Sequence, residues 1–411
     1  MRRTVLLAAV FSILLPCFLS GEAGQAPEER GLASTNFRAP DFPDPGSEPA
    51  RPGMETPPSP DHNQPNAPPP ISVPPSEENP AASLWINSPP LTMGQLSGKV
   101  VLIEFWEYTC INSIRTFEQD KKWYERYHKY GFEIIGVHDP EFDIASQAAN
   151  VRAAAKRFGL PYPLFLDPNF RLWQAYHNGS WPGRFLVDSK SIVRFYRAGE
   201  GGEAGLEHAI QRLLIEAHPE LQFPADYAIK PEADAFAPSC GVTTPEMYVG
   251  DWSGKGILSN PEGYHRGKTV RYQPPSGVND GQAAVSGAWE ADKNGMTYKG
   301  KNAGGYAAAD KLVMRYHARE LYAVINVSHG HPSTVYIQQD GKDLTGDAKG
   351  VDVKLDAQGH SYIEVREPRL YYLVANPASG AHTVTLTPTK PGLTVDAFTF
   401  GNDCQTGFPH L

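Results

Sequence analysis

Cysteine is almost missing from this chain: there are 4 in 411 residues. A small fold stapled by many disulfides is therefore excluded, and each thiol has to be read singly. An excess of positive charge is missing as well. The formal net charge is −9, which lacks the basic surface of a nonspecific nucleic-acid binder. No apolar run reaches the ~20 residues that a bilayer-spanning helix needs. The longest, residues 4–19, follows Met1-Arg2-Arg3 and precedes the small residues of SGEAGQA. Positive start, apolar middle and small-residue exit make residues 1–26 a secretory signal, either cleaved or retained as an anchor. Cys17 falls inside it. No internal repeat of fixed period occurs, so a solenoid is excluded too.

What is present divides the chain by composition. Residues 27–80 hold 16 of the 38 prolines and few apolar side chains. Too little surface can be buried there to offset the entropy of ordering the backbone, so the segment is expected to be a disordered, partly polyproline-II tether. Over residues 81–222 strand and helix patterns alternate. KVVLIEF (99–105) and FEIIGVH (132–138) are continuous apolar runs, as expected of strands buried on both faces. Residues 111–129 carry Ile114, Phe117, Trp123, Tyr124 and Tyr127 near one helical stripe. An alanine-rich helix over 145–158 is closed by Gly159. A hairpin over 183–188 and 192–198 and a helix over 205–217 complete an α/β sandwich. A joint over residues 223–238 then changes the period to two. MRYHARELYAVINVS, STVYIQQDG, GHSYIEVREPRLYYLVAN, AHTVTLTPT and LTVDAFTFG read as strands, so residues 239–405 form an all-β sandwich.

The chemistry-bearing stretch is VVLIEFWEYTCINSIRT, residues 100–116. Cys110 follows a buried strand and opens a helix. Its sulfur is expected to face the unpaired N–H groups at the helix start, which lowers a thiol pKa below ~8.5 and favours the reactive thiolate. Three residues later, Ser113 stands where a second thiol would resolve a mixed disulfide. Serine cannot form one, so dithiol turnover by this motif is excluded. Monothiol exchange, isomerisation, oxidation sensing or a covalent docking point remain; a thiol without redox role is the other reading. His329 and His331 lack further ligands at metal spacing, and neither a metal nor another cofactor is expected.

GKVVLIEFWEYTCINSIRT resembles the active-site segment of the thioredoxin superfamily in its TlpA/DipZ-like branch, where the segment ends in Cys-Ile-Asn-Cys and an arginine. LWINSPPLTMGQLSGKVV, WYERYHKYGFEIIGVHDPEF, NVRAAAKRFGLPYPLFLD and SWPGRFLVDSKSIVRFYRAGEGG are similar to the same branch. So are TTPEMYVGD, REPRLYYLVAN and PGLTVDAFTFGNDC in the second half. The resemblance implies an α/β thioredoxin fold followed by a carbohydrate-binding-module-like jelly roll. It implies a cis peptide at Trp181-Pro182 opposite Cys110, and a buried acid, Glu104, beside the position of the absent second thiol. Trp106, Tyr108 and Asn112 fall where substrate is bound. Glu107 stands where a peroxiredoxin has threonine, which argues against that chemistry. Cys240 and Cys404 bound the β half and are expected to pair as a structural disulfide. Such a link closes a loop of about 165 residues and contributes about 4–5 kcal/mol in the chain-entropy account. Resolution of Cys110 by one of them is the alternative.

Expected partners are exported or envelope protein disulfides and low-molecular-weight thiols. A glycan ligand of the β half is a further expectation; Trp252, Trp289, Tyr298 and Tyr306 are the candidates to stack on sugar faces, while each taken singly reads rather as a core aromatic.

Overall fold

The apolar runs of the first half become neighbouring parallel strands that are buried at every position, because layers cover both faces of the sheet. The computed structural model describes residues 33–42, 84–223, 243–251, 257–301, 305–327 and 332–401. Its first half runs β1 (Ala33–Arg38), β2 (Trp85–Ile86), β3 (Val100–Trp106), α1 (Ile111–Tyr127), β4 (Phe132–His138), α2 (Ala148–Phe158), β5 (Leu164–Leu166), α3 (Arg171–Ala175), β6 (Gly183–Val187), β7 (Ile192–Ala198) and α4 (Glu203–Ala217). These strands form one 7-stranded sheet in the order β1-β7-β6-β3-β4-β5-β2. β3 is parallel to β4 and antiparallel to β6. This is the thioredoxin fold with an added edge strand.

That edge strand corrects the expectation of an unstructured tether over residues 27–80. β1 pairs antiparallel with β7, and Phe37 packs edge-on against Tyr176. Phe42 meets Trp85 and Phe165, and Asp41 Oδ1 accepts a hydrogen bond from the Met93 backbone N–H at 2.9 Å. The stretch between Pro27 and Pro40 contains no proline. ASTNFR can therefore donate to a ladder where its surroundings cannot. The signal segment, most of the tether, Cys240, Cys404, Trp252, His329 and His331 lie outside the described residues.

The second half is all β: β8 (Met247–Tyr248), β9 (Thr269–Tyr272), β10 (Gln282–Ala291), β11 (Met296–Tyr298), β12 (Lys311–Val327), β13 (Ser333–Gln339), β14 (Lys342–Asp343), β15 (Lys354–Leu355), β16 (Ser361–Val365), β17 (Arg369–Pro388) and β18 (Leu393–Gly401). One edge of β12 follows β17 for most of its length. Its other edge pairs first with β10 and then with β18, while β11 joins β10 to β18. The strands thus wrap a single apolar core. Where the sequence suggests two strands separated by Pro377-Ala378-Ser379, β17 is continuous. The register slips opposite Ala318 and Glu320, and the proline needs no ladder partner at the slip. Trp289 and Tyr298 are 0% exposed within this core, in line with the core reading of each and against a sugar-stacking role. Tyr306 is half-buried and stacks on His360.

The two halves share one core: Tyr322, Val324, Leu370, Tyr372 and Ala397 pack with Tyr108, Ile111 and Ile114 of the thioredoxin half. Charge fixes the join. Arg115 pairs through Nη1 with Glu200 at 3.1 Å and through Nη2 with Glu320 at 3.3 Å. Glu320 also accepts hydrogen bonds from the hydroxyls of Tyr322 and Tyr372. Arg115→Ala would strand two buried carboxylates, so a loss of about 3 kcal/mol or more is expected in urea unfolding. A loss below about 1 kcal/mol, typical of solvated pairs, would show that charge does not hold the halves together.

Candidate functional site around Cys110

Because β3 and β4 run parallel with Trp106 opposite His138, the loops leaving their C-terminal ends meet at one edge of the sheet. The β3–α1 loop is built on Glu107, which is 0% exposed. Its Oε2 accepts from the Thr109 backbone N–H at 2.6 Å and from the Thr109 hydroxyl, and its Oε1 lies 3.7 Å from His138 Nε2. The loop delivers Cys110 to the N-cap of α1 in an extended conformation, where its carbonyl accepts the first helical bond from Ile114 at 3.1 Å. The half-buried thiol points at the backbone carbonyl of Trp181, 3.8 Å from the sulfur.

Trp181-Pro182 is a cis peptide, as the resemblance implies. Asn178 and Ser180 hold its loop: Asn178 Nδ2 donates to the Ser180 carbonyl at 3.0 Å, and the Ser180 hydroxyl donates to that of Pro182 at 2.9 Å. The Asn178 side chain lies so close to Gly183 that any Cβ there would overlap it.

Ser113 is 0% exposed, and its hydroxyl accepts from the Glu107 backbone N–H at 3.3 Å. The serine thus ties the helix to the loop. Its own backbone N–H lies against the Cys110 sulfur and pulls the thiol pKa down, as a helix start should. Burial dominates, however, and the charges of Glu141, Glu246 and Glu107 add to it, so the thiol is pushed well up. This corrects the expectation of a lowered pKa. The local helix effect is present but outweighed by groups from three other segments.

Glu104 lies close to Ser113: the Thr116 hydroxyl beside its Oε1 is also 2.8 Å from the Ser113 carbonyl. Its Oε1 accepts from the Thr116 hydroxyl at 2.8 Å and from Arg184 Nε at 3.3 Å. Arg184, 0% exposed, also reaches Asp120 at 3.4 Å and Glu203 at 3.2 Å. Burial and then the Glu104 charge push Asp120 well above the usual carboxylate range. Trp106 and Tyr108 are 1% and 0% exposed. They are core side chains packed on His138 and present no face to substrate. Asn112 is half-buried in the first turn of α1.

Sequence reasoning missed Arg184, Asp120, Glu141, Glu246 and Tyr248. One signal for Arg184 exists: an arginine inside the otherwise apolar strand GRFLV demands buried carboxylates.

Two family models match the chain. Residues 86–196 match the AhpC/TSA family, and residues 244–401 match the thioredoxin-like C-terminal domain. The chain therefore joins an AhpC/TSA-type redoxin domain to a thioredoxin-like C-terminal domain, with homology to DipZ and to thiol–disulfide oxidoreductases. It is 33% identical over 321 residues to protein DipZ of Mycobacterium tuberculosis, covering 77% of this chain and 41% of that protein. The chain thus spans less than half the length of that curated relative. Against thiol-disulfide oxidoreductase YkuV of Bacillus subtilis it is 26% identical over 133 residues, 32% of this chain and 88% of that one. A thiol-disulfide isomerase from Corynebacterium glutamicum aligns over 36% of this chain and 97% of its own, at 23% identity and a TM-score of 0.30. Among the described residues, no helix is long and apolar enough to cross a membrane.

Two measurements check the site. Iodoacetamide modification of Cys110 should still be rising at pH 9, above the ~8.5 of a free thiol; a plateau below pH 8 would contradict the burial account. Glu104→Gln should lower stability by roughly 1–3 kcal/mol yet leave the modification rate within about twofold. A large rate change would restore Glu104 to the thiol's chemistry.

Proposed function

We propose that this is an exported monothiol thiol–disulfide exchange protein working through Cys110. The observation that carries the reading is the pairing of a half-buried Cys110 at the start of α1, facing the Trp181 carbonyl, with a buried Ser113 that cannot resolve what Cys110 binds. In the proposed step the Cys110 thiolate attacks one sulfur of a disulfide. A Cys110–substrate disulfide forms, the substrate S–S bond breaks, and the other half leaves as a thiolate that takes up a proton. Release requires a second, external low-molecular-weight thiol, whose attack returns Cys110 as thiol and carries the substrate half away as a new disulfide. The apolar leader over residues 1–26 supports export, and envelope protein disulfides are the substrates that such a location offers.

A second reading has its own support. The raised thiol pKa favours a redox-silent thioredoxin scaffold, with binding performed by the β half. An open cleft there is lined by Arg319, Asp347, Lys349, Tyr372 and Asn376, polar groups of the kind that bind glycan hydroxyls.

Exposure of the reduced full chain to glutathione disulfide separates the two. The first reading expects a mixed disulfide at Cys110, absent in Cys110→Ser, which persists until an external thiol is added. Ser113→Cys should convert this persistent adduct into one that resolves from within. A Cys110 that stays free at every pH from 6 to 9 would favour the scaffold.

A further inference from the structure

Between the pairs Ala318–Gly380 and Glu320–Ala375 the ladder of β12 and β17 comes apart unequally. A single residue, Arg319, stands opposite four, Asn376-Pro377-Ala378-Ser379. Surplus chain at a bulge leaves the sheet and re-aims the side chains around it. Here it builds one wall of a cleft of about 460 Å³, within the ~300–1,000 Å³ of small-molecule sites. The facing wall is the loop over residues 346–353.

Both walls are fixed in place. Asn376 is 4% exposed; its Oδ1 accepts from Gln339 Nε2 at 2.8 Å, and its carbonyl accepts from Arg319 Nε at 3.1 Å. The loop is laced to β17. The Gly350 N–H donates to the Leu373 carbonyl at 3.0 Å, and Asp352 Oδ2 accepts from the Tyr372 N–H at 2.8 Å. Arg369 Nη2 holds the other Asp352 oxygen at 2.6 Å. Gly350 comes so close to the Tyr372 backbone that any Cβ would overlap it. Walls pinned this way need little ordering when a ligand arrives.

The lining carries an uneven charge. Arg319 and Lys349 bring two cations and Asp347 one acid, so the surplus is one positive charge. Among the described residues Lys349 has no carboxylate partner; its Nζ donates to the Val353 carbonyl at 3.4 Å. One carboxylate satisfies the surplus, and an arginine fork beside a lysine is a donor set that recognises it. The second charge of a phosphate would meet Asp347. That acid is instead an acceptor for hydroxyls. Ala375 and Val351, the latter 62% exposed, give apolar cover to ring carbons.

We infer that this cleft binds a saccharide bearing one carboxylate, a uronic-acid sugar. Arg319 and Lys349 hold the carboxylate, and Asp347 accepts from a hydroxyl. The inference deepens, and rests on, the reading in which the β half binds glycan.

Calorimetric titration of the full chain at low ionic strength with glucuronate, glucose and acetate tests it. Glucuronate should bind at least about tenfold more tightly than either of the others, as a charge-assisted hydrogen bond would give. Lys349→Ala should weaken glucuronate by about tenfold for the same reason, and added salt should weaken it in the parent chain. Lys354→Ala, which removes a cation from β15, should change the affinity by less than about twofold. Arg319→Ala should match Lys349→Ala. Should it fail to fold because Arg319 also holds the bulge, Lys349→Ala decides alone. Glucose bound as tightly as glucuronate, and indifferent to Lys349→Ala, would overturn the inference and leave neutral glycan binding by the β half standing. Acetate bound as tightly as glucuronate would overturn it too, since the cleft would then read charge without the sugar. No binding of glucuronate would sink it outright. Glucuronate binding to a chain whose Cys110 also forms the glutathione adduct would uphold the cleft and overturn the redox-silent scaffold.

Discussion

The guanidinium of Arg115 is the constraint from which the geometry of the thiol site follows. It stands in the second turn of α1, two residues past Ser113, and bridges Glu200 of the thioredoxin half and Glu320 of the β half. Both acids are largely buried, so neither can be left without its cation. The start of α1 is thereby locked to β12. The β half must then lie over the edge where β3 and β4 end, and Cys110 is removed from the open surface such a residue would otherwise occupy. A single ion-pair triad near the helix start thus sets the dielectric around the nucleophile.

The acids of the site fall into layers with different tasks. Below α1, Glu104 and Asp120 balance Arg184 in a closed cluster, with Trp123 under the guanidinium at 5.7 Å. In the loop, Glu107 folds back on Thr109 and carries the turn that presents Cys110. Above it, Glu141 and Glu246 meet through Tyr248 across the join. Only the last layer depends on both halves being docked. Ser113 belongs to the middle layer: its hydroxyl completes the loop by accepting from the Glu107 backbone. A serine that cannot form a disulfide thus supplies a structural hydrogen bond at this position.

Much of this is legible in the sequence, and the failures have two causes. Continuous apolar runs locate β3 and β4, and the spacing of Ile114, Phe117 and Trp123 locates α1, because these patterns arise from neighbours in sequence. The Cys110 position and the proline loop come from a motif whose residues are likewise local. What fails is set by distant residues. Glu104 meets Arg184 across 80 residues of chain, and Tyr248 meets Glu141 across 107. No window along the sequence contains either pair. β1 fails for the opposite reason: the proline-rich composition of its surroundings is averaged over a short stretch that has none.

A raised pKa does not simply make Cys110 a poor redox group; it changes which half of the exchange is slow. Fewer molecules carry the thiolate at neutral pH, but each thiolate is a stronger nucleophile, since nucleophilicity rises with pKa. The larger effect falls on release. When an external thiol attacks the substrate sulfur of the mixed disulfide, Cys110 must depart, and a high-pKa thiolate departs slowly. Ser113 offers no thiol to bypass that step. Under the proposed exchange, burial among acids and a serine at position 113 would act in the same direction: both would lengthen the life of the covalent adduct. A protein tuned for rapid turnover would need the opposite of each, a stabilised thiolate and a nearby resolving thiol. Under the proposed exchange this combination suits capture, in which a disulfide partner is held until a second thiol attacks the mixed disulfide.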